Sequence, residues 1–215
     1  MSLEVNVAGE QLVLLPERAI YWPRKQTLLV ADTHWGKAAT LRAAAIPIPG
    51  GTTSADMERL SGLVQSMGAK RMVLLGDAIH AREGRAPRTL RAVGEWREAH
   101  RALDILLIRG NHDRRSGDPP ASLGIECANA PVAEPPFVFQ HFPGKAEGGY
   151  ALAGHMHPAI RLTGRGKEKK TLVCYWFTDC CGVLPAFGAL TGVALVTREP
   201  GDRVYVVAGE EVIAV

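Results

Sequence analysis

Three short apolar runs divide the first half of the chain, at residues 27–31 (TLLVA), 71–75 (RMVLL) and 103–109. Each run has the length and composition of a buried β-strand, and segments with helical features separate the runs. Strands that alternate with helices in this way are typical of a layered α/β core. The pattern therefore predicts the α/β fold class for this half of the chain.

The segments between the runs predict three helices. An alanine-rich stretch at residues 37–45 is predicted to be helical until Pro and Gly residues break it. In the next helix, which Thr53 or Ser54 would cap, apolar residues recur at three- and four-residue intervals as far as Met67. Residues 90–101 are predicted to form the third helix.

The second half of the chain has little helical periodicity. Residues 116–136 are rich in Pro, Gly and Ser and are predicted to form a long loop. The β-like runs that follow are predicted to form a second, largely antiparallel sheet packed on the first, with an exposed basic hairpin tip at residues 164–170. We expect one domain that spans residues 1–215. The predicted short strands outside the three apolar runs are residues 4–7, 11–15, 136–140, 150–153, 171–177, 192–197 and 203–208.

Composition and charge permit a globular protein and exclude little else. Hydrophobic residues make up 47% of the chain and charged residues 22%, and the net charge of +3 permits an anionic substrate. We find no secretion signal and no apolar run near the roughly 18 residues of a membrane span, so we expect a cytoplasmic protein without a membrane partner. The four cysteines lack C-x-x-C spacing, which disfavours a zinc finger or a disulfide framework.

Potential metal ligands follow the predicted strands, and ligands of α/β sheets bind outside the carboxyl ends of strands. Asp32 and His34 are two residues apart, so both side chains can face one site. His155 and His157 have the same spacing. The full set of candidate metal ligands is Asp32, His34, Asp77, Asn111, His141, His155 and His157.

This set of carboxylates, amide and imidazoles is suited to two divalent ions, and it favours Mn, Fe, Zn or Ni over Mg or Ca alone. Asp77 is the best candidate for a carboxylate that bridges both ions. Two ions about 3.5–4 Å apart would clamp a phosphoryl oxygen and lower the pKa of a bridging water, whose hydroxide would attack phosphorus. His112 would stabilise the phosphoryl charge or protonate the leaving oxygen, and Asp113 would orient His112 through a hydrogen bond.

Taken together, the motifs resemble those of the metallophosphoesterase (calcineurin-like phosphoesterase) superfamily. The motifs are Asp32-x-His34, Gly76-Asp77, Gly110-Asn111-His112-Asp113, His141 and Gly154-His155-x-His157. The resemblance implies a four-layer sandwich of two mixed β-sheets flanked by helices, two divalent metal ions with Mn favoured, and His112 as the catalytic histidine. It implies these ligands: Asp32, His34, Asp77 and His157 for one ion, and Asp77, Asn111, His141 and His155 for the other.

Longer segments are similar to the bacterial ligase-associated metallophosphoesterases, at residues 31–42, 46–49, 154–161 and 184–192. This narrower resemblance implies a phosphodiesterase or endonuclease of DNA repair that works near an ATP-dependent DNA ligase and a helicase-like protein. Two alternatives stay open. One is a phosphodiesterase or phosphatase acting on a small nucleotide-like substrate, and the other is a metal-bound scaffold that recruits repair partners. The strands of the second sheet would also allow a homodimer.

Basic and aromatic residues near the motifs are candidate substrate contacts. Lys37 and Arg114 are the best of the basic candidates, because each lies within a few residues of a predicted ligand. His80 stands where many family members have Asp, and it either contacts substrate at the rim or lies in a surface loop. Trp35 either stacks on a base or packs in the core beside the site. The other basic residues near the motifs are Arg42, Arg82, Arg85, Arg109 and Arg115.

Overall fold

The apolar runs of the first half form the centre of a seven-stranded sheet in the computed structural model, which describes residues 1–164, 166 and 168–215. The strands lie side by side in chain order, with antiparallel pairing as far as the fourth strand and parallel pairing beyond it. They are β1 (Leu3–Val7), β2 (Glu10–Leu15), β3 (Ala19–Trp22), β4 (Thr27–Val30), β5 (Arg71–Leu74), β6 (Asp104–Ile108) and β7 (Glu126–Ala128).

The register of the three central strands brings their carboxyl ends to the same edge of the sheet. Val30 of β4 lies beside Leu74 of β5, and Leu74 lies beside Leu107 of β6. All three residues are buried, as expected for parallel strands covered on both faces. The polar residues that follow these strands therefore emerge next to one another.

Four helices accompany this sheet: α1 (Lys37–Ala43), α2 (Thr52–Met67), α3 (Pro87–Ala99) and α4 (Asn111–Ser116). Leu60 of α2 and Trp96 of α3 belong to the core cluster on one face of the sheet. The prediction that Thr53 or Ser54 caps α2 is wrong, because α2 begins after Gly51, which has a left-handed backbone and a φ of 97°. The Thr53 hydroxyl instead accepts a hydrogen bond from the backbone N–H of Gly36.

The second sheet contains the remaining strands, which are β8 (Val132–Glu134), β9 (Phe137–Phe139), β10 (Tyr150–Ala153), β11 (Pro158–Thr163), β12 (Lys169–Phe177), β13 (Cys181–Val183), β14 (Ala194–Leu195), β15 (Arg203–Ala208) and β16 (Glu211–Ala214). This sheet is mixed. Strand β10 pairs in parallel with β9 and β13, whereas β12 pairs antiparallel with β11, β13 and β15. The expectation of a largely antiparallel sheet therefore missed its parallel centre.

The two sheets pack face to face over an aromatic and aliphatic core that includes Trp22, Phe137 and Phe177. The Tyr175 hydroxyl joins the sheets, because it contacts the carbonyl oxygens of Leu15 and Ala19 at 2.7 and 2.8 Å. The predicted α/β sandwich of two mixed sheets flanked by helices is confirmed.

The remaining predictions concern the loop at residues 116–136, the basic hairpin tip, the cysteines and membrane-spanning helices. The predicted loop at residues 116–136 was wrong in part, since it contains β7 and β8, which are too short to give a periodic pattern. Of the predicted basic hairpin tip between β11 and β12, Arg165 and Lys167 lie outside the described residues. All four cysteines are free. Among the described residues, no helix has the length and apolarity needed to cross a membrane.

Candidate metal centre

The seven predicted ligands converge where the two sheets meet. Asp32 follows β4 and Asp77 follows β5, both in the first sheet, while His141 and His155 follow β9 and β10 of the second. The backbone N–H of His155 donates a hydrogen bond of 2.8 Å to Asp32 Oδ2, so a direct contact joins the two sheets at this point. Parallel pairing in both sheets thus delivers the candidate ligands to one place.

One group of ligand atoms comes from Asp32, His34 and His157. His157 Nε2 lies 3.4 Å from His34 Nε2 and 3.5 Å from Asp32 Oδ1. His157 Nδ1 lies 3.1 Å from the carbonyl oxygen of Gly192, so Nδ1 carries the hydrogen and Nε2 presents a lone pair. Asp32 Oδ1 is buried and accepts no hydrogen bond within the described part of the chain.

A second group comes from Asp77, His141 and His155, with Asn111 beside it. His141 Nδ1 contacts the carbonyl oxygen of Leu75 at 2.9 Å, so His141 Nε2 also presents a lone pair. That nitrogen lies 3.0 Å from Asn111 Oδ1, 3.1 Å from His155 Nδ1 and 3.5 Å from Asp77 Oδ1. The atoms around His141 Nε2 are therefore mostly hydrogen-bond acceptors, and too few N–H groups are present to pair with all of them.

Converging lone pairs are unfavourable in a buried site unless a cation lies between them. Burial, followed by the charge of Lys37, lowers the pKa of His34 to about 2, so its imidazole is neutral and free to coordinate. The donor set and the orphaned Asp32 oxygen fit bound divalent metal ions, which these clustered Asp and His residues could bind. The bridging role of Asp77 stays a prediction, as does the number of ions.

Five of the seven predicted ligands adopt a left-handed backbone conformation, namely Asp32, His34, Asp77, His155 and His157, with φ between 47° and 69°. Few residues other than glycine do so, although Asp and His tolerate it better than most. The paired spacings thus reflect sharp turns after the strands rather than extended chain. His155 and His157 consequently face different groups of ligand atoms.

Two motif glycines leave room for ligands from neighbouring strands. A Cβ atom on Gly110 would lie 2.2 Å from Asp77 Oδ1, and one on Gly154 would lie 2.5 Å from Asp32 Oδ2. Both distances are far below any van der Waals contact. Glycine is therefore required at these positions by the close approach of a carboxylate.

His112 and His80 form a stacked pair beside the metal centre. Their rings are 4.6 Å apart with an interplanar angle of 23°, and His112 Nδ1 donates to the backbone carbonyl oxygen of His80. His80 Nδ1 in turn lies 3.2 Å from His34 Nδ1. The structure therefore places the half-buried His80 against His34 and His112, and its contact with substrate stays a prediction.

The predicted hydrogen bond from Asp113 to His112 is wrong. The buried Asp113 carboxylate accepts hydrogen bonds from the backbone N–H groups of Asp77 at 2.7 Å, Ala78 at 2.9 Å and Gly110 at 2.9 Å. The first turn of a short helix points Asp113 away from the His112 ring and under the turn that carries Asp77. Asp113 therefore holds the turn that carries Asp77 in place.

The structure separates the basic candidates into two sets. Arg109 forms a two-pronged ion pair with Asp118, and Arg42, Arg82 and Arg85 donate to backbone carbonyl oxygens. Within the described residues, the side chains of Lys37, Arg114 and Arg115 make no hydrogen bond or ion pair. Burial lowers the pKa of Lys37, and the nearby carboxylates of Asp32 and Asp77 oppose this shift.

Trp35 packs in the core, which removes the alternative that it stacks on a base. Its side chain is 1% exposed and lies in the cluster that also contains Met57 and Phe187. Sequence reasoning overlooked Phe142, whose ring contacts His155. Its position directly after His141 was the signal available.

Acidification is expected to destabilise the metal-free protein. Burial, then Lys37 and His112, lowers the pKa of His80 from 6.5 to about 4, so the unfolded chain takes up a proton that the folded chain resists. Stability should fall as the pH falls from 6.5 towards 4. Thermal unfolding in EDTA would measure this slope, which should be shallower in His80→Gln and unchanged in His100→Gln. Equal slopes for His80→Gln and the wild type would contradict the expectation.

The chain is similar to several proteins of known structure. The chain is similar to the solved structure of Pseudomonas putida nuclease MPE, with 40% identity over 100% of both chains and a TM-score of 0.88. YfcE, a phosphoesterase from E. coli, matches at 13% identity over 87% of this chain and 96% of its own, with a TM-score of 0.41. Protein AQ665 of unknown function from Aquifex aeolicus matches at 15% identity over 61% of this chain and 78% of its own, with a TM-score of 0.39.

No family model and no curated protein matches the chain. The match to nuclease MPE covers every motif that carries the resemblance seen in the sequence, including the residues of both ligand groups. The chain belongs to the metallophosphoesterase superfamily and is a metal-dependent phosphoesterase.

Proposed function

We propose that this phosphoesterase is a nuclease that hydrolyses phosphodiester bonds of DNA during repair. The observation that carries the proposal is the convergence of two groups of metal-ligating atoms that contain Asp32 and Asp77, beside His112 Nε2. His34, His80 and His112 form a third such group, which borders the first through His34. The full-length similarity to a nuclease from Pseudomonas putida supports a nucleic acid as the substrate. Two basic residues would bind the phosphates of the substrate: Lys37, which lies near Asp32 and Asp77, and Arg114, which follows Asn111 and His112 on α4.

Two divalent ions fit the centre, with Mn favoured by its mixed oxygen and nitrogen ligands. Bound ions would supply Lewis acidity towards the phosphoryl group and activate water as the nucleophile. The residues that would hold one ion are Asp32, His34, Asp77 and His157, and those that would hold the other are Asp77, Asn111, His141 and His155.

His112 would protonate the leaving oxygen. Its Nδ1 hydrogen is committed to the carbonyl oxygen of His80, so the proton that moves is the one on Nε2. Nε2 lies 3.8 Å from Asp77 Oδ2 and hence faces the metal centre. Stacking on His80 fixes the plane of the ring, and Lys37 and Arg114 would bind phosphate oxygens on either side of the reacting bond.

His112→Ala is expected to reduce DNA cleavage by about 10²–10⁴-fold, the usual contribution of a general acid. A p-nitrophenyl diester should be affected less, because its leaving group departs without a proton. Metal content should not change, since His112 is outside both proposed ligand sets. Rates on both substrates and metal analysis would measure this, with His100→Ala as the control. Equal losses on the two substrates would contradict the role of His112 as an acid.

A panel of substrates tests the function itself. The Mn-loaded protein would be assayed on bis-p-nitrophenyl phosphate, on p-nitrophenyl phosphate, and on single-stranded and duplex DNA. Preference for the diester together with cleavage of DNA would support the proposal. Diester hydrolysis without DNA cleavage would favour the alternative of a small nucleotide-like substrate, and preference for the monoester would favour a phosphatase. A scaffold that recruits partners has no need of the acid at His112.

The repair partners are a proposal that rests on resemblance alone. An ATP-dependent DNA ligase and a helicase-like protein would act on the same damaged DNA, the ligase after the nuclease has cut. An assay in which the ligase reseals the cleavage products, once their ends have been processed, would support a nuclease that acts before the ligase. The homodimer is likewise a proposal, which sedimentation of the purified protein would test.

A further inference from the structure

Phe142 is an exposed aromatic residue in direct contact with the metal centre. Its side chain is 50% exposed, although its ring centroid lies 4.5 Å from that of His155 and 5.0 Å from that of His141. Both histidines belong to the second group of ligand atoms. The exposed half of this ring therefore lies directly beside the proposed metal ligands, where it can contact a bound substrate.

Hydrogen bonds hold the backbone around Phe142 in place, while half of the Phe142 side chain remains exposed to solvent. Gln140 Nε2 donates hydrogen bonds to the carbonyl oxygens of Phe142 and Gly144 at 2.8 and 3.0 Å. The planes of the Phe142 and His155 rings are inclined by 62°, and those of Phe142 and His141 by 74°. Neither histidine stacks in parallel on Phe142, and half of its side chain remains exposed to another planar group.

The apolar character extends along the second-sheet side of the centre. Val193 is 49% exposed and follows Gly192, whose carbonyl oxygen contacts His157. Lys37 belongs instead to α1, which accompanies the first sheet, and it lies near Asp32 and Asp77. The centre thus has a cation on the side of the first sheet and apolar side chains on the side of the second. A nucleotide has the matching division, since its phosphate is anionic and its base is planar with apolar faces.

We propose that Phe142 is the stacking surface for the nucleobase next to the scissile phosphate. The inference rests on the proposed nuclease function and adds a binding site for the base. Stacking on an aromatic side chain accepts any base, since every base has a π-face. A base within an intact duplex is covered by its neighbours, so the contact requires an unstacked nucleotide.

Two chromogenic diesters with the same leaving group test the proposal on the Mn-loaded protein. One is thymidine 5′-(p-nitrophenyl phosphate), and the other is the corresponding deoxyribose compound without the base. The wild type is expected to prefer the base-bearing diester in kcat/KM by about 5- to 150-fold, the factor that corresponds to stacking of one base. Phe142→Ala should reduce this preference to near unity, and Phe142→Trp should retain it.

Two further variants separate stacking from packing. Phe142→Leu keeps an apolar side chain against His155 and lacks a π-face, so it should also lose the preference. Ile213→Ala truncates an exposed apolar residue on β16 and should keep it. The proposal is overturned if the wild type shows no preference for the base, or if Phe142→Ala and Phe142→Leu retain it. Failure of the wild type to cut any DNA would instead overturn the nuclease function.

Discussion

Asp77→Asn is expected to lower phosphodiester hydrolysis by more than about 10³-fold, because the several kcal/mol that bound metal contributes would be lost. The change keeps the shape of the side chain and removes its charge. Asp77 Oδ1 lies 3.5 Å from His141 Nε2, and Oδ2 lies 3.8 Å from His112 Nε2, so the carboxylate separates the ligand group from the proposed acid. Initial rates on bis-p-nitrophenyl phosphate and the Mn content of the purified variant would measure the effect.

A matched control is Asp202→Asn, the same change at another buried carboxylate. Asp202 accepts hydrogen bonds from the Trp176 indole and from the backbone N–H of Glu199, and no predicted ligand contacts it. Its loss should lower stability while metal content and rate stay near those of the wild type. If Asp77→Asn retains two ions per chain and a rate within tenfold of the wild type, the assignment of Asp77 as a ligand is wrong.

Gly110→Ala is expected to lower turnover by about 10²-fold or more, although the change adds a single methyl group. The new Cβ would lie 2.2 Å from Asp77 Oδ1, 2.8 Å from the Asp77 backbone nitrogen and 2.9 Å from His141 Cε1. Overlaps of this kind must be relieved by moving the turn that carries Asp77, and a shift of about 1 Å in a catalytic group costs about 10²-fold in rate. Metal titration and rates at saturating Mn would measure the loss.

Gly62→Ala is the matched control, and it should raise stability without lowering turnover. Gly62 lies within α2, and nothing is within 4 Å of the position that a Cβ would occupy. Alanine in a helix is favoured over glycine by roughly 0.5–1 kcal/mol, so the melting temperature should rise and activity should stay the same. A Gly110→Ala protein with normal metal affinity would show that the turn adjusts more easily than its contacts indicate.

The central sheet could be predicted because its strands are buried on both faces. Leu74 and Leu107 lie in continuous apolar runs, a pattern that parallel strands require and that short loops do not produce. The candidate ligands could be predicted for the same reason, since the carboxyl ends of such strands meet at one edge. Asp77 and Asn111 were therefore brought together by the fold as the sequence indicated.

Other features depend on contacts that no local pattern records. Asp113 follows His112 in sequence, yet its carboxylate contacts the backbone of Asp77 and Ala78 in another loop. The strand β8 is three residues long and is defined by its pairing with β9. No sequence motif marks Phe142, and its proposed role is apparent only from the contact between its ring and the His155 ring in the folded chain.

The left-handed turns of the candidate ligands also bear on how long each molecule survives. Such conformations cost roughly 1–3 kcal/mol each, against a net domain stability of roughly 5–15 kcal/mol. Five of them, at Asp32, His34, Asp77, His155 and His157, lie in the two groups of candidate ligands, so the backbone strain is concentrated at the metal centre and weakens the fold there. Ion binding offsets this weakness by mass action. Molecules starved of metal would be the first to unfold and meet a protease, and the pool that persists would be enriched in loaded, working enzyme.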